Sequence, residues 1–142
     1  MKKFALITTT VAFMAACTSQ FSSNQNKAGH AATAFAEAYF NYDFAKATEL
    51  TTPETAKWLR FAASNITQEN INELNKRNEG AGVTLTDCEE LSDTLCEAVV
   101  EVDNYMAIDS IGGPGVFRDG GVFRLTVVER DGRWMVRMEG LP

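Results

Sequence analysis

Apolar positions recur every three or four residues between residues 31 and 71 and every second residue from 83 onward, so the pattern predicts helices first and strands after. In "HAATAFAEAYFNYDF", Ala31, Phe35, Ala38, Tyr39 and Tyr42 share one helix face. Asp43 is placed to cap a second short helix over residues 44–50. "TTPETAKWLRFAAS" carries a strong start signal: Thr52 as cap, Pro53 where its missing N–H costs nothing, and Glu54 near the positive helix end. Trp58, Phe61 and Ala62 are expected to face inward. A further helix is capped by Thr67, with Ile66 stapled to Ile71, and stops at Gly80 and Gly82. Its far side, with Glu69, Asn72, Asn75 and Lys76, is polar.

From Val83 the period is two. "VTLTDC" and "CEAVVEVDNYMAI" read as strands joined by a tight hairpin that brings Cys88 opposite Cys96. That register puts Thr84 and Thr86 beside Ala98 and Val100, and Val83 and Leu85 on the other side. A bulge, or a first strand buried on both faces, would reconcile the pattern, and both stay open. "SIGGPGVFRDGG" reads as a glycine-rich connection. "VFRLTVVERDGRWMVRMEG" is the clearest hairpin, because Asp131-Gly132 is a favoured two-residue turn. Its register aligns Phe123, Leu125 and Val127 with Trp134, Val136 and Met138, and sets Arg124 opposite Glu139.

The N-terminus follows another rule. Lys2 and Lys3 precede thirteen uncharged residues, 4–16, too few for a membrane-spanning helix of about 20. The run ends at Met14-Ala15-Ala16-Cys17 and turns polar. This resembles the bacterial lipobox, and the resemblance implies a signal peptide over 1–16, cut before a Cys17 that carries lipid. Each buried methylene of such an anchor contributes about 0.8 kcal/mol, and two or three chains hold firmly where one does not. Residues 17–28 then form the lipidated cysteine and a flexible tether, since "TSQFSSNQNKA" has little to bury, and residues 29–142 form one domain. Thr18 after the cysteine resembles lipoproteins passed on to the outer membrane, and no acidic run follows to favour surface display. The expected location is the periplasmic face of that membrane.

Export changes the reading of charge and thiols. The whole chain carries a formal charge of −6; without Lys2 and Lys3, eleven basic residues face 19 acidic ones and the charge falls to −8. Such a domain repels nucleic acid and anionic headgroups, so attachment must come from the lipid. An oxidising compartment permits disulfides, which pairs Cys88 with Cys96 once Cys17 is set aside; two buried free thiols are the alternative. Two cysteines eight apart and a single histidine, His30, do not make a zinc site, and no cofactor is expected.

Helices followed by a meander of long strands, with "AFAEAYFNYDFAKATELTTPE" and the terminal "ERDGRWMV", resemble small bacterial lipoproteins with a nuclear transport factor 2-like, or cystatin-like, cone. The fold class expected is α+β: N-terminal helices packed on a curved antiparallel sheet of about four strands. The resemblance implies a pocket at the open end; a cystatin-type arrangement without one is the alternative. Phe35, Tyr39, Trp58, Phe61, Phe123 and Trp134 are the candidate pocket lining, with core filling as the competing role.

Some members of that superfamily are enzymes with a base and an acid in the pocket. The candidates here are Tyr39, Tyr42, Asp103, Tyr105 and Asp109, but no acid and tyrosine can be paired from the pattern. The glycines of "GGPG" join two strands instead of a strand and a helix, so they make a turn and not a phosphate cradle. "DTL" and "DSI", at Thr94 and Ser110, resemble a bacterial O-glycosylation pattern. The sequence therefore reads as a non-enzymatic envelope lipoprotein that binds a small apolar ligand or an envelope protein. A structural lipoprotein with a filled core, or a pocket isomerase or dehydratase, are the alternatives.

Overall fold

Four helices precede four strands in a computed structural model that describes residues 21–142. The signal segment and Cys17 lie outside these residues. α1 spans Ser23–Phe40, α2 Phe44–Glu49, a 3-10 turn Pro53–Thr55, α3 Ala56–Ser64 and α4 Gln68–Asn75. β1 is Gly82–Ser92, β2 Leu95–Ile108, β3 Gly115–Arg130 and β4 Arg133–Arg137, in one antiparallel sheet ordered β1-β2-β3-β4. The α+β class and the four-stranded sheet expected from the sequence are both present.

α1 lies across the inner face of the sheet, antiparallel to β1. Small residues let it approach: Ala28, Ala32 and Ala36 are fully buried, together with Phe35. A Cβ on Gly29 would come within 2.6 Å of Leu85, so glycine here permits the contact with β1. Opposite them stand Cys96, Ala98, Val100, Val102, Val127 and Val136, each without exposed surface.

The second half of the segment read as a flexible tether is ordered, because Ser23 to Ala28 belong to α1. Ser22 and Gln25 form a reciprocal capping box, with Gln25 N–H donating to Ser22 Oγ at 3.2 Å and Ser22 N–H to Gln25 Oε1 at 2.7 Å. Polar composition is offset by tertiary bonds. Ser22 Oγ and Asn24 Nδ2 donate to Glu90 at 2.7 and 3.0 Å, and Gln25 Nε2 donates to the Cys88 carbonyl at 2.7 Å.

The β1–β2 register resolves the open question in favour of a bulge. Leu85 faces Val100 but Asp87 faces Val99, and a second irregularity lies between Glu90 and Ser92. Cys88 therefore pairs with Ala98, and Cys96 with Glu90, so the two cysteines are diagonal and not opposite. Both are free, buried thiols in place of the expected disulfide. Burial pushes both thiols up, Cys96 to about 11, which favours the protonated form at neutral pH.

Four further expectations need correction. Residues 115–121, read as a connection, form the first half of β3, because the long β2 partner imposes a ladder from Asp103↔Gly120 to Ile108↔Gly115. In α3 the buried residues are Leu59 and Ala62, while Phe61 is 44% exposed and Trp58 half-buried. In α4 the buried residue is Asn70, the N3 partner of Thr67 in a second capping box, and Ile71 is exposed. The β3–β4 turn forms as read: Asp131 and Gly132 take φ of 55° and 80°, and Val127 faces Val136. Arg124, however, pairs with Glu97 at 2.8 Å instead of meeting Glu139, because the ladder ends at Thr126↔Arg137.

Candidate functional site

At the C-terminal end of α1 the packing opens. The last helical residues, Tyr39 and Phe40, are large where Ala28 and Ala32 are small, and both line the opening. The chain then turns sharply through Tyr42, at φ 63°, a left-handed conformation that a bulky side chain rarely takes. The Tyr42 hydroxyl donates to the Met106 carbonyl at 2.6 Å and so ties this turn to β2. Between α1, the end of α3, β2, β3 and residues 141–142 lies a cavity of about 370 Å³.

Three tyrosines, Tyr39, Tyr42 and Tyr105, enter the lining, along with Phe40, Phe44, Phe61, Phe123, Met106 and Ile108. Asn65, Asp109 and Ser110 supply polar groups, and none of the lining residues is Lys, Arg or His. Phe40 links the rings: its centroid is 5.1 Å from Tyr39, 5.4 Å from Tyr105 and 4.6 Å from Phe123. A Cβ on Gly121 would fall 2.5 Å from the Tyr105 hydroxyl, so this strand glycine makes room for the ring.

The polar groups of the cavity differ in what they have left to offer. Tyr42 is spent on Met106. Asp109 is held at the rim by both oxygens, which accept from Arg118 Nη2 at 3.0 and 2.9 Å. Neither Tyr39 nor Tyr105 has a hydrogen-bond partner among the described residues, although Tyr105 is only 7% exposed. Burial, and then the neighbouring Tyr42, push the Tyr39 hydroxyl up to about 12; burial does the same to Tyr42 against the opposing charge of Arg77. At neutral pH Tyr39 therefore presents a protonated hydroxyl donor in an apolar wall.

The residues singled out from the sequence divide between cavity and core. Tyr39, Phe61, Phe123, Tyr42, Tyr105 and Asp109 come together around the cavity. Phe35 lies in the core, stacked on Tyr39 at 5.6 Å. Trp58 and Trp134 pack against the core and do not line the cavity. Asp103 projects over Gly82 at the exposed edge of the sheet. His30 is exposed on α1. Phe40, Phe44 and Met106 were missed, although Phe40 and Phe44 carried a signal in the aromatic density of "AYFNYDF". Among the described residues no cluster of His, Cys, Asp or Glu could hold a metal ion, and no helix is long and apolar enough to cross a membrane.

Helices packed on one face of a four-stranded antiparallel sheet define the fold class. A solved structure of an NTF-2-like protein of unknown function from Shewanella oneidensis MR-1 shares it, with a TM-score of 0.53 over 78% of this chain and 92% of that one, at 15% identity. This chain thus has an NTF2-like fold. No protein-family profile and no curated protein matches it.

Proposed function

We propose that the chain is a lipid-anchored envelope protein, facing the periplasm from the outer membrane, whose cone binds a small, uncharged apolar molecule carrying a hydrogen-bond acceptor. The cavity carries this reading. Its volume of about 370 Å³ lies near the lower end of ligand sites, roughly 300–1,000 Å³, which are mostly apolar with a few placed polar groups. The two unpartnered hydroxyls favour a carbonyl or ether oxygen on the ligand, and the absence of a cation from the lining disfavours a carboxylate. The anchor rests on Met14-Ala15-Ala16-Cys17.

The cavity is tested with 2-acetylnaphthalene, 2-ethylnaphthalene and 2-naphthoate, titrated by calorimetry. The ketone is expected to bind, with the hydrocarbon about fivefold weaker, as a net hydrogen bond of about 1 kcal/mol dictates, and the carboxylate weakest. Tyr39→Phe with Tyr105→Phe removes the ketone's advantage. Absence of binding by all three favours the structural lipoprotein, or a protein partner for the cone. The anchor is tested by labelling with palmitate, which Cys17→Ala abolishes.

A further inference from the structure

The described fold makes the molecule bipolar. One end gathers the N-terminus of α1, the β1–β2 turn around residues 92–95 and the β3–β4 turn at Asp131-Gly132. The cavity occupies the other end. α1 runs between them, and its 18 residues span about 27 Å.

The entry of α1 is fastened in place. Ser22 and Asn24 grip the Glu90 carboxylate on β1, and Gln25 grips the backbone at Cys88. Cys17 is five residues before Ser22, a reach of about 18 Å at full extension. A tether over residues 17–28 would reach more than twice as far. Beside the fastening point stand two exposed apolar side chains, Phe21 at 38% and Leu91 at 52%.

We infer that the end bearing Phe21, Leu91 and the two turns rests on the lipid bilayer, so that the cavity opens toward the aqueous phase. This rests on the lipid-anchor reading of Cys17. The contact is apolar: Glu89, Glu90, Asp93 and Asp131 share this end with Arg130 and Arg133, so no basic patch draws in headgroups. A ligand then enters from solution or from a partner in the aqueous space, and is not lifted out of the membrane beneath.

The test uses the acylated full chain, purified from membranes and reconstituted into phosphatidylcholine vesicles. Leu91→Cys and Ile111→Cys, at positions 52% and 76% exposed, each receive one bimane, while buried Cys88 and Cys96 stay unlabelled. Quenching by a doxyl-labelled phosphatidylcholine is expected to be at least threefold stronger at position 91 than at 111. Twenty Gly and Ser residues inserted after Ser19 should erase the difference. Equal or reversed quenching in protein that floats with the vesicles overturns the orientation and leaves the anchor standing. Protein that does not float overturns both.

Discussion

The two ends of α1 are built on opposite principles. At the turn end, alanines and a glycine meet valines and cysteines. At the far end, Tyr39, Phe40, Tyr105 and Phe123 form a connected aromatic cluster beside the cavity. Small side chains make up the closed contact, and large aromatic ones border the open space.

The contrast is sharpest for two phenylalanines. Phe35→Ala, at a fully buried position of the closed end, should cost about 3–5 kcal/mol, read by urea unfolding. Phe61→Ala, 44% exposed at the cavity, should cost under about 1 kcal/mol and instead weaken ketone binding several-fold. Equal losses of stability would erase the distinction between core and lining. Gly121→Ala comes next: the added methyl displaces the Tyr105 hydroxyl and costs about 1–3 kcal/mol, with ketone affinity falling in the same variant.

Thr55 tests what holds the cavity wall. Its buried Oγ1 accepts from Met138 N–H at 3.0 Å and bonds Thr52 Oγ1 at 2.8 Å. Thr55→Val leaves that N–H unsatisfied and should cost about 1–2 kcal/mol, with faster ligand release because residues 141–142 lose their mooring. Ser22→Ala at the closed end should cost about 1 kcal/mol, confined to the first turn of α1 in hydrogen exchange.

The smallest effect is on pH. Bonds from Ser22, then Asn24, lower the Glu90 carboxyl. A lowered folded pKa means that the clamp's contribution is complete above the ordinary carboxylate value, about 4.3, and fades as acid protonates the folded group below it. Protection factors of the amides of residues 23–26, corrected for the intrinsic pH dependence of exchange, should fall under those conditions, and Glu90→Gln should remove the dependence while cavity binding is unchanged.

What could be read beforehand was local. Asp131-Gly132 dictates its turn without help from the rest of the chain, and Asp43 caps α2 through Lys46 N–H as placed. The start of α1 did carry a local signal, the Ser22–Gln25 capping box, but the polar run around it is held by Glu90 and Cys88, more than sixty residues away. The glycines of 115–121 looked like a loop, yet β2 forces them into extension. Thiol register depended on one extra residue near Thr86, and a bulge leaves no mark in a period of two. Cavity and core could not be separated, since Phe35 and Tyr39 lie on the same helix face and differ only in what stands across from them.

β4 pairs with β3 only from Thr126 to Arg130, which leaves the β3 edge over residues 115–125 without a neighbour among the described residues. Val116, Phe117 and Val122 are exposed along this segment, a combination that invites strands of other molecules to add on and aggregate. Arg118, Asp119 and Arg124 interrupt it, and three glycines weaken its appetite for pairing. These charges guard an open strand edge against self-assembly, so the long β3 can outrun its short partner without recruiting a second molecule.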